Sequence, residues 1–139
     1  SVILSAYTFP YYELTGRGLK IQASDNIEML KAMGRDPLII KSTRIDAIYG
    51  LVKMMDKAYD AIPQIRTPIL FLYGENDQVI SPMAMHNALP RFSTRLYCSR
   101  YPEGYHMLLR DLNGEEVLAN INHWIGKKAK NTLISNCFN

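Results

Sequence analysis

Cysteine is scarce in this 139-residue chain, with Cys98 inside an expected strand and Cys137 in the tail. Two thiols so placed make neither a metal-ligand spacing nor a disulfide framework, and they fit a reducing, cytoplasmic compartment better than a secreted one. Long apolar runs are missing too. None approaches the roughly 18 consecutive residues of a membrane span, and no charged leader precedes an apolar core. Charge of one sign is not concentrated: the net charge is +3, and apart from Lys127, Lys128 and Lys130 the basic residues are spread out. A nucleic-acid backbone calls for a clustered basic face, so no nucleic acid is expected as a partner. No metal site and no organic cofactor is indicated. Finally, none of the eight serines stands in Gly-x-Ser-x-Gly, and neither cysteine has the equivalent glycine frame. A nucleophile of that kind is therefore expected to lie outside this chain.

What is present centres on Pro68-Ile69-Leu70-Phe71-Leu72-Tyr73-Gly74-Glu75-Asn76-Asp77. This reads as a buried parallel strand that stops at a glycine and presents a carboxylate three residues later. The C-terminal ends of such strands are where α/β sheets keep their active sites. A second apolar stretch, residues 96–101, leads into Pro102-Glu103-Gly104-Tyr105-His106 and delivers a histidine to the same edge. An acid followed by a histidine, in that chain order, supplies two of the three members of a hydrolase triad. His86, on an intervening helix, and His123, off the inner face of the last one, read as surface histidines.

The rest of the chain is organised around this unit. Residues 2–5, apolar and β-branched, read as a core strand that begins without a lead-in, so the chain is expected to be cut from a longer one. Residues 6–62 read as a mostly helical insertion. In it, a short helix capped by Ser24 or Asp25 ends at Gly34, and a longer one runs over 44–62. Ile45, Ile48, Val52, Met55, Tyr59 and Ile62 recur there at helical spacing, with Leu51, Met54 and Ala58 as a second apolar row. Thr43 and Asp46 suggest a capping box, and two apolar rows suggest a helix buried on two sides or covering an apolar cavity. Residues 63–130 read as a βαβα unit. Ser81-Pro82 opens its first helix, and Asn113 caps a second over 115–128 whose inner face is Val117, Leu118, Ile121, Trp124 and Ile125. Residues 131–139 form a tail without pattern. Strand, helix, strand, helix with short turns implies an α/β fold with parallel pairing.

These residues resemble the C-terminal half of a serine α/β-hydrolase of the monoacylglycerol lipase and lysophospholipase type, within the serine aminopeptidase-like hydrolases. The likeness rests on Thr67 to Asp77, on Tyr101-Pro102-Glu103-Gly104-Tyr105-His106-Met107-Leu108-Leu109, and on the closing helix around Trp124. The stretches 24–38 and 49–56 resemble the helical cap of bacterial members. The resemblance implies the C-terminal part of a parallel sheet with a cap insertion, in which Asp77 orients His106 and His106 relays a proton between a serine and the leaving alcohol. It implies a lipid-like or small ester as substrate, with Met54, Met55, Val79 and Ile80 as candidate walls of an acyl trench. Without its nucleophile the chain is expected to be inactive alone; the other reading is a free-standing, non-catalytic binding or assembly module. An unpaired edge at residues 2–5 would favour a homo-oligomer or association with a missing N-terminal half.

Overall fold

Two strands place the candidate residues. In the computed structural model, which describes residues 2–16 and 18–126, β3 (Ile69–Gly74) and β4 (Leu96–Tyr101) pair in parallel, from Ile69 opposite Leu96 to Gly74 opposite Tyr101. The crossover between them carries α4 (Pro82–Ala88), opened by Ser81, whose hydroxyl accepts the Ala84 N–H at 3.2 Å, with Pro82 in the first turn where a missing N–H costs nothing. The last helix, α5 (Gly114–Gly126), packs on β4. The Trp124 ring meets Tyr97 edge-on at 6.1 Å, and Asn120 donates to the Tyr101 hydroxyl at 3.1 Å. Tyr73, Leu89, Tyr97, Cys98, Tyr101 and Val117 form a small core around this unit. The expected parallel α/β unit is therefore present, with both strands within a residue of their expected bounds.

The N-terminal part holds α1 (Val2–Thr8), β1 (Glu13–Thr15), α2 (Ile27–Arg35), β2 (Ser42–Arg44) and α3 (Ile45–Ala61). β1 and β2 pair antiparallel over three residues each. Helices α1 and α3 touch through Tyr7 and Tyr49, whose rings lie 6.1 Å apart, and Ala6 and Ile45 are buried. At its far end α3 is tied to the crossover region. The Tyr59 hydroxyl donates to Asn87 O at 3.3 Å, and the Arg91 guanidinium lies 4.2 Å from the Tyr59 ring centre.

Several sequence expectations are corrected here. Residues 2–5 are the start of a helix, not a strand, so the argument for self-association through a strand edge at that place falls with it. Helix α3 buries Ile45 alone, while Leu51, Met54 and Met55 are exposed; it is not enclosed on two sides. No capping box forms at its start, because the Asp46 carboxylate pairs instead with Arg44, the residue at the N-cap. Asn26 caps α2 by accepting the Met29 N–H at 3.1 Å, since Ser24 and Asp25 are engaged elsewhere. On α5, Leu118 and Ile125 are exposed although expected on the inner face. Cys98 is buried in β4, whereas Cys137 lies outside the described residues. The three tail-end lysines and residues 131–139 lie outside the described residues. Among the described residues, no helix is long and apolar enough to cross a membrane.

Candidate active site

The site is built where β3 and β4 end. Beyond Gly74 the chain turns so that Glu75 N–H donates to Tyr101 O at 2.9 Å and Asn76 N–H to Gly104 O at 2.9 Å; the Asn76 amide adds a bond to Pro102 O at 3.2 Å. These bonds zip the loop carrying Asp77 to the loop carrying His106. Arg100 and Glu75 form an ion pair at 3.1 Å beside the same junction.

Within this frame the Asp77 carboxyl is committed on both sides. Oδ1 accepts the backbone N–H groups of Val79 at 2.7 Å and Ile80 at 2.9 Å, and Oδ2 lies 3.0 Å from His106 Nδ1. The expected approach of acid and histidine is thus present. The Asp77 side chain is only 7% exposed, against 39% for His106. Burial, the largest single influence, pushes the Asp77 pKa up. The bonds from Ile80, His106 and Val79, with the His106 charge, outweigh it and hold the carboxyl below its ordinary range. Nearby, Tyr73 donates to Ile80 O at 3.2 Å, and burial followed by the Asp77 charge raises its phenol pKa.

An ionised Asp77 is an acceptor only, so it fixes the proton of a neutral His106 on Nδ1 and leaves Nε2 as the free acceptor. An imidazole presented in this way takes a proton from a hydroxyl and returns it to a leaving group.

Val79 and Ile80, expected as trench walls, stand beside the acid and act on it through their backbones. Met54 and Met55 are 62% and 52% exposed on α3. An open groove of about 480 Å³ does adjoin His106, lined by Leu72, Met107, Leu108, Leu109 and Val117. A larger cleft of about 750 Å³ separates α2 from α5. None of the four expected wall residues lines either one. Sequence reasoning also missed Ser24 and Asp111, both buried and bonded to each other; a buried polar pair this far apart in sequence leaves no periodic signal. No group of three or more potential metal ligands occurs among the described residues.

A family model described as serine aminopeptidase, S33, matches residues 2–113. The chain belongs to this family. Solved structures agree on the α/β-hydrolase fold. The monoacylglycerol lipase of Paleococcus ferrophilus superposes with a TM-score of 0.74 at 20% identity, over 92% of this chain and 51% of that one. A soluble variant of monoglyceride lipase from Saccharomyces cerevisiae, solved with a substrate analogue, gives 0.74 at 16% identity, over 91% and 47%. A structure from a study of LipS and LipT, two metagenome-derived lipolytic enzymes, gives 0.66 at 23% identity, over 91% and 50%. The chain thus spans about half the length of the structures it matches. No curated protein matches the chain.

Proposed function

We propose that this chain supplies the acid and the base of a serine hydrolase that cleaves carboxylic esters of lipid-like molecules, of the monoacylglycerol lipase or lysophospholipase kind. The observation that carries this reading is the 3.0 Å contact between His106 Nδ1 and Asp77 Oδ2 at the ends of adjacent parallel strands, in a chain of the serine aminopeptidase S33 family. Asp77 orients the imidazole, and His106 Nε2 draws the proton from a serine hydroxyl as it attacks the ester carbonyl. The same imidazole then protonates the departing alcohol, and water repeats the cycle on the acyl-enzyme.

The nucleophile and the oxyanion donors come, in this reading, from residues outside this chain. The two-stranded parallel sheet would then extend through strands supplied by the same source. The exposed methionines of α3 are proposed to form, with Val79 and Ile80, one wall of an acyl trench, because thioethers adapt to a flexible chain.

Hydrolysis assays on the intact protein with short-chain esters, long-chain monoacylglycerols and lysophospholipids test this proposal. Turnover of one or more of these is expected, with none above background from the 139-residue chain alone, since the missing groups provide most of the transition-state stabilisation. No turnover of any ester by the intact protein would refute it.

A further inference from the structure

Ser24 is fully buried, and its hydroxyl donates to Asp111 Oδ1 at 2.6 Å across 87 positions of sequence. The other oxygen of Asp111, itself 8% exposed, accepts the Tyr105 N–H at 2.7 Å. Tyr105 directly precedes His106. On the other side of the histidine, Met107 N–H donates to Ala23 O at 2.9 Å, and Leu112 N–H to Asp25 Oδ1 at 2.8 Å. The neighbouring Gln22 N–H donates to Gln78 Oε1 at 2.9 Å, one residue beyond Asp77. Residues 22–25 belong to no helix or strand, yet they hold both loops of the candidate site. A backbone gripped on either side of His106 leaves the imidazole little freedom to swing away from Asp77.

We propose that Asp111, anchored by Ser24, is the positioning residue for His106, fixing the backbone of the histidine loop so that Nδ1 meets Asp77. The inference deepens the hydrolase reading and rests on it for its catalytic consequence, while the placement itself is a property of the fold. The Asp111 carboxyl touches neither His106 nor Asp77 in this arrangement; it acts through Tyr105. Its two acceptors match two donors with no geometric freedom to spare, because a backbone N–H cannot reorient and a fully buried hydroxyl has no water to turn to.

Proton NMR of the intact protein tests this, with the His106 Nδ1 proton as reporter. That proton, bonded to Asp77, gives a downfield resonance, assigned by its disappearance in Asp77→Asn. In Asp111→Ala the resonance is expected to vanish or to exchange with solvent at least about tenfold faster, with backbone amide dispersion retained, because two supporting hydrogen bonds are lost. Asp111→Asn is expected to keep it. The new amide oxygen still accepts from Tyr105 and so holds the histidine loop, while the amide nitrogen can donate to Ser24 Oγ, at a cost in stability because the buried Ser24 hydroxyl proton then loses its acceptor. A merely structural role would lower the melting temperature and leave this resonance alone.

Should Asp111→Ala fail to fold, Ser24→Ala carries the test, with exchange expected to quicken about two- to tenfold for one lost bond. An unchanged resonance in Asp111→Ala, or in Ser24→Ala where the first variant does not fold, overturns the proposal. If the resonance responds as expected but no ester is hydrolysed, the hydrolase reading fails and the positioning of His106 stands.

Discussion

Gly74 and Gly104 meet backbone to backbone: a β-carbon on Gly74 would lie 2.5 Å from both the carbonyl carbon and the carbonyl oxygen of Gly104, and 2.5 Å from Tyr105 O. Neither neighbour is the end of a flexible side chain, so a methyl group there forces the two loops apart. The distance between the acid loop and the histidine loop is thereby set by the absence of two side chains.

Gly74→Ala is expected to destabilise the protein by about 1 to 3 kcal/mol, the usual range for forcing atoms into a packed site, and to lower any esterase activity in the folded enzyme. Gly50, inside α3 with nothing within 4 Å of its would-be β-carbon, gives the opposite sign. Gly50→Ala is expected to stabilise by about 0.4 to 1 kcal/mol through the unfolded chain. Urea midpoints of the two variants check both expectations together.

The depressed pKa of Asp77 predicts a pH dependence of stability with a defined sign. The folded protein favours the ionised form, so the contribution is fully present above the unfolded value of about 3.9 and is lost as the pH falls through the lower folded value. Urea midpoints for the unsubstituted protein and Asp77→Asn, compared from about pH 5 downward, are expected to differ most at the top of that range. That difference should shrink on the acid side. A gap that widens on acidification would contradict the assignment of the buried carboxylate.

The parallel unit was legible in the sequence because its signals agree. Apolar runs at residues 69–73 and 96–101 end at Gly74 and Pro102, and Ser81-Pro82 marks the helix between them. Asp77 and His106 followed from those strand ends. Residues 2–5 misled because a four-residue apolar, β-branched run fits a strand and a helix turn alike; contact with α3 decides for the helix. The capping residues at 24–26 were misread for a different reason. Ser24 has the chemistry of a cap, but its hydroxyl goes to Asp111, a partner that no local pattern announces. β1 and β2 are short, the first exposed and the second half-buried over two of its three residues, with no alternation to betray them. The apolar rows of α3 promised burial, whereas among the described residues most of that face has no cover.

Met54 and Met55 offer a test of the proposed acyl trench. Both are largely exposed, so the double change to serine is expected to alter stability by no more than about 0.5 kcal/mol. Against long-chain monoacylglycerols, kcat/KM is expected to fall about tenfold or more, since each lost methylene contact is worth about 1 to 3 kcal/mol in a hydrophobic site. Short-chain esters should be unaffected. Equal losses on both classes, or none on either, would remove these two residues from the trench.

The central claim is that His106, oriented by Asp77, is the base of an ester hydrolase, and it is tested most directly by kcat/KM of intact His106→Ala on a monoacylglycerol. The side chain is 39% exposed, but its loss leaves Oδ2 of the buried Asp77 without that partner, so the variant is expected to fold with its stability lowered by about 1 to 3 kcal/mol. Its activity is expected to fall by about 10⁴-fold or more, the scale of losing one member of a catalytic triad. Hydrolysis that persists within tenfold of the unsubstituted protein would contradict the account.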